Sequence, residues 1–192
     1  MLEITEYKVE FVLLTEMLGT TPKNPEIYKQ FIENKKPKTE NENERETIEA
    51  LEEKGYVGFH KDDKGLFLYD YMIKGFLKNA GNVVRVSKNI PGLKQKVVNF
   101  VNVIPRRIYL DKQNPDGIIE QAITGWTSSG KITALQRCDY VSTGTKFECE
   151  IQVIENPTIK KELLCDLLEY GKIQGLLKFR QGGFGKFTYK LL

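Results

Sequence analysis

The chain has 192 residues, of which 40% are hydrophobic and 29% are charged, and its formal net charge is +3. This composition is typical of a globular protein with its own core, and it excludes a low-complexity chain. We expect a single domain over residues 1–192. The three cysteines, Cys138, Cys149 and Cys165, form no CxxC pair, so neither a disulfide framework nor a bound metal or other cofactor is expected.

The sequence contains no membrane segment that we can identify. No run of 18 apolar residues occurs, and the first residues alternate charged and apolar side chains instead of forming an apolar stretch. We therefore expect a cytoplasmic protein that does not associate with a membrane.

The first half of the chain mixes strand and helix patterns. Residues 4–14 alternate, with Tyr7, Val9, Phe11 and Leu13 on one side, which predicts a half-buried strand. Asn24 and Pro25 are a typical helix start. The elements predicted next are a helix at 24–34, a charged flexible insertion at about 35–47, a helix at 45–54, a hairpin of 56–60 with 66–69, and a helix at 71–82.

The second half ends in an amphipathic helix and a glycine-rich segment. We predict strands at 97–103 and 108–110, a loop-rich stretch at 112–130, and a strand pair of 131–135 with 145–154. A helix from 157 to 170 carries an apolar stripe that begins at Ile159, and Gly171 ends it. The pattern predicts an α+β fold with a ferredoxin-like or RRM-like antiparallel sheet, helices on one face, inserted loops and a C-terminal glycine-rich loop.

The charges are unevenly distributed along the chain. Residues 71–110 contain eight basic residues and no acid, and residues 171–192 contain five basic residues and no acid. Such segregation creates a positive surface although the net charge is small, and phosphate backbones bind such surfaces. The alternative is that these residues form an ordinary solvated surface.

The glycine-rich segment near the C-terminus combines cations with aromatic rings. Gly182, Gly183 and Gly185 allow positive φ and close approach of another backbone. Lys178, Arg180 and Lys186 supply charge, and Phe179 and Phe184 can stack on bases. A P-loop is excluded because no GK[ST] sequence or helix follows. The alternative is a glycine-rich hairpin in which the aromatic residues pack internally.

A second element lies at Lys74 and Gly75, where we expect a helix to begin. A helix start with an added lysine suits a phosphate, although Gly75 can equally be a helix-packing contact. Asp70 precedes the pair, and we prefer a helix-capping role for it over metal binding.

Together, the two elements resemble the RAMP superfamily, the RRM-like proteins that bind and process CRISPR RNA. Residues 73–78 (IKGFLK) match its Lys-Gly helix, and residues 180–187 (RQGGFGKF) match its glycine loop. The segment 170–187 also resembles that of small single-domain phage and mobile-element proteins, except that Leu177 replaces a glycine. The resemblance implies RNA binding, and we assign it to Lys74, Gly75, Lys78, Arg106, Arg107, Lys178, Arg180, Gly182, Gly183, Phe184, Gly185 and Lys186.

Three functions are compatible with this resemblance. The first is a non-catalytic protein that binds RNA or a nucleotide, with CRISPR-type subunits or further copies of itself as partners. The second is a mobile-element anti-defence protein that mimics or inhibits a CRISPR or nucleotide-signalling component. The third is a metal-independent endoribonuclease that uses His60, the only histidine, although a lone histidine on a turn is usually a surface residue.

Overall fold

A computed structural model describes the backbone of residues 3–23, 56–127 and 130–192, and their side chains except at 123–127 and 130–134. The predicted helices at 24–34 and 45–54 and the charged insertion at 35–47 lie outside the described residues. In the described ranges no helix has both the length and the apolar character needed to span a membrane.

The described residues form twelve strands and three α-helices. The helices are α1 (Asp70–Ser87), α2 (Leu93–Phe100) and α3 (Lys161–Glu169). The strands are β1 (Ile4–Leu13), β2 (Met17–Leu18), β3 (Thr21–Pro22), β4 (Val57–Gly58), β5 (His60–Asp62), β6 (Gly65–Tyr69), β7 (Val101–Ile104), β8 (Arg107–Tyr109), β9 (Gly117–Thr127), β10 (Gly130–Val141), β11 (Lys146–Ile154) and β12 (Phe187–Leu191).

The central sheet has four antiparallel strands in the order β12-β1-β11-β7. With α1 and α3, the chain order is β1-α1-β7-β11-α3-β12. If the four strands are numbered along the chain, the sheet order is 4-1-3-2, which is the ferredoxin-like arrangement. The predicted α+β class with an antiparallel sheet is confirmed.

The core lies between this sheet and the helices. Strand β1 buries alternate residues, including Val9, Phe11 and Leu13, as the sequence predicted. Phe11 stacks on Phe147 of the neighbouring strand at 4.8 Å between ring centroids. The predicted apolar faces of the helices are also buried, namely Ile73, Phe76 and Leu77 of α1 and Ile159, Leu163, Leu164, Leu167 and Leu168 in and before α3.

Helix α3 begins later than predicted, at Lys161 instead of residue 157. The side-chain oxygen of Asn156 accepts hydrogen bonds from the amides of Thr158 and Ile159 at 3.0 and 2.7 Å. This local turn competes with the helix for these amides and delays its start.

The predicted strand at 97–103 is wrong in its first part. Residues 97–100 belong to α2, and only Val101–Ile104 are β-strand. Leu93 and Val97 are four residues apart and both buried, so they form one helix face. Gly81 of α1 allows the close contact, because a Cβ atom there would lie 3.3 Å from Cα of Lys94.

The predicted loop at 112–130 and the predicted pairing of 131–135 with 145–154 are also wrong. Strand β9 pairs with β10 over their full length, whereas β11 pairs with β1 and β7. The turn between β10 and β11 is held by β1, since the amide of Gly144 donates to the carbonyl of Leu13 at 2.8 Å. The chain therefore passes from one sheet to another at this turn.

A second sheet contains β2, β10, β4 and β3, with β9 beside β10, and a third contains β5, β6 and β8. In the second sheet, Asp139 is 2% exposed and pairs with the ammonium of Lys23 at 2.6 Å. The hydroxyl of Tyr56 donates to the same carboxylate at 2.8 Å. The Lys23 side chain is 41% exposed, so this half-buried pair ties the β3 segment, one wall of the cavity described next, to the second sheet.

Candidate nucleic-acid interface

A cavity of about 600 Å³ lies between α1, the β3 segment, the ends of β5 and β6, and the C-terminal loop. We call it the α1 groove. Its polar, aromatic and glycine lining includes His60, Tyr69, Tyr71, Gly75, Asn79, Arg106 and Arg180.

Several of the predicted binding residues line the α1 groove. Gly75, Arg106 and Arg180 come from three separate parts of the sequence and line the same cavity. His60, the reserve catalytic candidate, lines it as well. The two acid-free stretches therefore meet at this groove, where Arg180 is the basic residue that the C-terminal stretch contributes.

Lys74 is directed elsewhere. The helix predicted at 71–82 is present, but the placement of Lys74 and Gly75 at a helix start is wrong. Helix α1 begins at Asp70, so the pair lies in its second turn. The Lys74 ammonium donates to the carbonyls of Val97 and Val98 at 2.8 and 3.1 Å, at the end of α2. Burial and the charge of Lys78 lower the pKa of Lys74. Lys78 lies one helical turn further on, and it does not line the α1 groove.

Arg106 takes part in an ordered aromatic stack. Its guanidinium carbon lies 5.0 Å from the ring centroid of Tyr69 and 5.4 Å from that of Tyr71. The two tyrosine rings stack at 5.4 Å with 18° between their planes. The carboxylate of Asp70 binds the guanidinium of Arg106 at 2.6 Å. It also accepts a hydrogen bond from the amide of Tyr71 at 2.7 Å. Asp70 therefore satisfies an amide of the first turn, although Tyr69 is the N-cap residue.

Arg107 belongs to a different cluster, although it follows Arg106 directly. Its guanidinium binds Asp62 at 2.8 Å and covers the ring of Phe67 at 5.0 Å. The Tyr109 hydroxyl also donates to Asp62, and these contacts hold the pKa of the Asp62 carboxyl below its usual range. Arg107 does not line the α1 groove.

His60 is placed between aromatic rings. It stacks on Phe67 at 5.5 Å and meets Tyr69 edge-on at 4.6 Å. Burial lowers the pKa of the imidazole, so the neutral form is favoured at neutral pH. In residues 3–23, 56–127 and 130–192 no group of three or more His, Cys, Asp or Glu side chains can hold a metal ion.

The C-terminal glycine loop is tied to the start of the chain. Gly185 has φ +72°, its amide donates to the carbonyl of Glu16 at 2.7 Å, and its carbonyl accepts from Leu176 at 2.8 Å. The hydroxyl of Thr15 donates to the carbonyl of Gly183, which has φ +90°, and accepts from the amide of Lys186. Backbone contacts therefore fix the loop that carries Arg180.

The two phenylalanines of the loop act as anchors. Phe179 and Phe184 pack against the buried cluster of Leu18, Val57 and Cys138. Both rings stay partly exposed beside this cluster, so the contact favours the alternative of internal packing, and their role in stacking on bases stays a prediction. The glycines at 182, 183 and 185 shape the loop without lining the α1 groove.

Of the three basic residues in the loop, only one lines the α1 groove. Burial lowers the pKa of Lys178, whose ammonium lies beside the thiol of Cys138. Lys178 and Lys186 do not line the α1 groove, whereas Arg180 does. Leu177 lines the groove with φ +61°, so this leucine adopts the left-handed conformation that glycine favours at the position where the resembling proteins have glycine.

The outer face of the central sheet is an unsuitable surface for stacking bases. RRM proteins stack bases on aromatic residues of the exposed sheet face. Here the outward residues of β1 are Ile4, Glu6, Lys8, Glu10 and Val12, and those of β11 include Glu148 and Glu150. Lys8 is also bound to Glu148 at 2.8 Å. This face is mixed in charge and has no aromatic residue on these two strands.

Sequence reasoning missed the aromatic and amide residues of the groove. Tyr69, Tyr71 and Asn79 were not assigned to the site, because the segregation of charge points to the basic residues instead. The available signal was spacing, because Tyr71, Gly75 and Asn79 are four residues apart and share one helix face.

No family of known proteins and no curated protein matches this sequence. Among solved structures, a chain in the cryo-EM structure of a type III-B Cmr-beta complex bound to cognate target RNA is similar over 99% of this chain, with 12% identity and a TM-score of 0.54. This chain spans 61% of that chain's length. A chain of a type IV-B CRISPR complex is similar over 98% of this chain and 90% of its own length, with 8% identity and a TM-score of 0.48. The sheet order and the first of these matches establish that this protein has the ferredoxin-like fold of a chain found in a type III-B CRISPR complex.

Proposed function

We propose that this protein binds single-stranded RNA, or a nucleotide, in the α1 groove without cleaving it. One observation carries the proposal, namely that Arg180, Arg106 and two stacked tyrosines from separate segments line one cavity. Arginine binds phosphate, and tyrosine rings stack on unpaired bases. The fold shared with a chain from a CRISPR complex supports an RNA ligand over other polyanions.

Arg180 is the groove cation that we assign to phosphate. Arg106 is already bound to Asp70, whereas no acid within the described part of the chain pairs with Arg180. The loop backbone also holds Arg180 in place, between Phe179 at φ +51° and Gly183 at φ +90°. The role of the basic glycine loop is therefore to present one arginine to the groove.

The test is salt-dependent binding of a single-stranded RNA, measured by fluorescence anisotropy. Arg180→Ala should weaken binding about 10–100-fold, because a hydrogen bond to a charged group contributes about 1.5–3 kcal/mol. The slope of log affinity against log salt should fall by about 1. The control is Arg85→Ala, which removes the same charge from the exposed last turn of α1, and it should change the affinity by less than about 3-fold. Equal effects of the two changes would refute the assignment.

We propose that the protein does not cleave RNA because of the residues that surround His60. Its neighbours within 6 Å between ring centroids are Phe67 and Tyr69, and no described carboxylate is hydrogen-bonded to it. Acid–base cleavage transfers protons between positioned groups, and these contacts give His60 no second acid or base in hydrogen-bond reach within the described residues. RNA incubated with the protein in EDTA should remain intact. Cleavage that stops in His60→Ala would instead establish the endoribonuclease.

A second candidate function follows from the fold match. The match covers 99% of this chain and 61% of the CRISPR-complex chain, so the shared fold is that of one part of a subunit-sized chain. In this second proposal, the protein is a RAMP-like protein of a mobile element that occupies a subunit position in a CRISPR complex and blocks it. The test is co-purification of this protein with CRISPR subunits after nuclease treatment, which removes any bridging RNA. Failure to co-purify with any subunit counts against the proposal.

A further inference from the structure

One row of residues on α1 faces the groove. Tyr71, Gly75 and Asn79 are spaced by four residues, and all three line the cavity. With a rise of 1.5 Å per residue, consecutive members of the row are about 6 Å apart along the helix. The row thus presents an aromatic ring, a gap and an amide in sequence.

The gap at Gly75 has no explanation within the described part of the protein. A Cβ atom built at Gly75 meets nothing within 4 Å, whereas one built at Gly81 of the same helix meets the backbone of Lys94 at 3.3 Å. Glycine is less stable than alanine in a helix interior. Helix packing therefore accounts for Gly81 but not for Gly75, where the exposed helix backbone opens into the groove.

The size and chemistry of the groove fit one nucleotide. Its volume of about 600 Å³ lies in the range of small-molecule sites. Tyr71 is 51% exposed, and aromatic rings of this kind stack on any base. The amide of Asn79 offers both a donor and an acceptor to a base edge, and Arg180 offers a cation to phosphate.

We propose that the α1 groove holds a single unpaired nucleobase over Gly75, stacked on Tyr71 and hydrogen-bonded by Asn79, with its phosphate on Arg180. The proposal rests on the proposed function and adds to it the unit that is recognised. Arg106 acts as a positioning residue, since its bond to Asp70 and its contact with both tyrosines fix the stacking ring.

The experiment uses the full chain and single-stranded RNAs that carry one 2-aminopurine base. Stacking should quench the fluorescence of this base on binding. Gly75→Ala should raise the melting temperature yet weaken RNA binding about 10-fold, since the new methyl group fills the base position. The control Gly81→Ala should lower the melting temperature and, measured in the folded range, leave the affinity within about 3-fold.

Two side-chain changes complete the test. Tyr71→Leu should abolish the quenching and weaken binding about 10-fold, whereas Tyr71→Phe should retain both. Asn79→Leu should flatten the ranking of affinities among oligo(A), oligo(C) and oligo(U).

The outcomes separate the two proposals. If Gly75→Ala binds RNA as well as wild-type protein and 2-aminopurine is not quenched, but Arg180→Ala still weakens binding, the base site is wrong and the proposed function stands. If wild-type protein binds neither single-stranded RNA nor a mononucleotide, both are wrong. An unchanged ranking of the oligonucleotides in Asn79→Leu overturns the role of that amide.

Discussion

The sequence assigns Lys74 to RNA binding, whereas the structure gives it a stabilising role. Its ammonium bonds two carbonyl groups at the end of α2, at 2.8 and 3.1 Å. Hydrogen bonds to a charged group contribute about 1.5–3 kcal/mol, and a cation at a helix C-terminus adds about 0.3–1 kcal/mol. Burial lowers the pKa of Lys74, so the cost of desolvation offsets part of this gain. We expect Lys74→Met to lower the free energy of unfolding by about 1–2 kcal/mol.

Urea unfolding and RNA binding should be measured on the same protein samples. A loss of 1–2 kcal/mol corresponds to a melting temperature lower by roughly 2–8 °C in a chain of this length. The affinity of the folded protein for RNA should change by less than about 3-fold. Lys78→Met is the matched control, one turn along α1, and should alter stability by less than about 0.5 kcal/mol. A Lys74→Met protein of unchanged stability that loses RNA binding would refute this reasoning.

Two further changes test the loop and the aromatic cluster. Gly183→Ala should lower the free energy of unfolding in urea by about 1–2 kcal/mol, because the φ of Gly183 is +90°. Gly182→Ala should leave it unchanged or raise it by up to about 1 kcal/mol, since the new Cβ meets only an ordinary contact at 3.7 Å. Equal effects of the two changes would contradict the described loop. The pKa of His60 is lower in the folded state than its usual 6.5, so the unfolded state binds more protons and stability should fall as the pH drops from about 6.5 through the folded pKa. His60→Phe should remove this fall between pH 7 and pH 5.5, and an identical pH dependence in both proteins would show that burial of His60 is not its cause.

The fold was predictable where periodicity was strong. Strand β1 alternates over its whole length, and α3 carries a continuous apolar stripe, so both were recognised. Residues 97–100 contain too few residues for a helical period, and β-branched Val97 and Val98 favour strand locally. Their helical state depends on packing against Gly81 and on the Lys74 ammonium, which lie elsewhere in the sequence.

The pairing of β9, β10 and β11 was not predictable from local pattern. The turn at 142–145 resembles a hairpin turn, yet Leu13 binds its backbone from a strand about 130 residues away. This long-range contact decides which sheet β11 joins. Register between distant strands depends on such contacts and not on the residues of the turn alone.

The candidate site was predictable in its charge but not in its geometry. Arg106 and Arg107 are adjacent in sequence, but they bind different acids, Asp70 and Asp62. Counting basic residues cannot show which cations are already bound, as Lys74 is. The convergence of Gly75, Arg106 and Arg180 depends on how three segments pack, which only the structure reveals.

The most direct measurement is photocrosslinking of the wild-type protein to a single-stranded RNA containing 4-thiouridine, with the modified residues identified by mass spectrometry. If the groove is the RNA site, adducts should concentrate on residues that line it, above all Tyr69 and Tyr71. Adducts concentrated on the outer sheet face, around Lys8 and Glu150, would contradict the account.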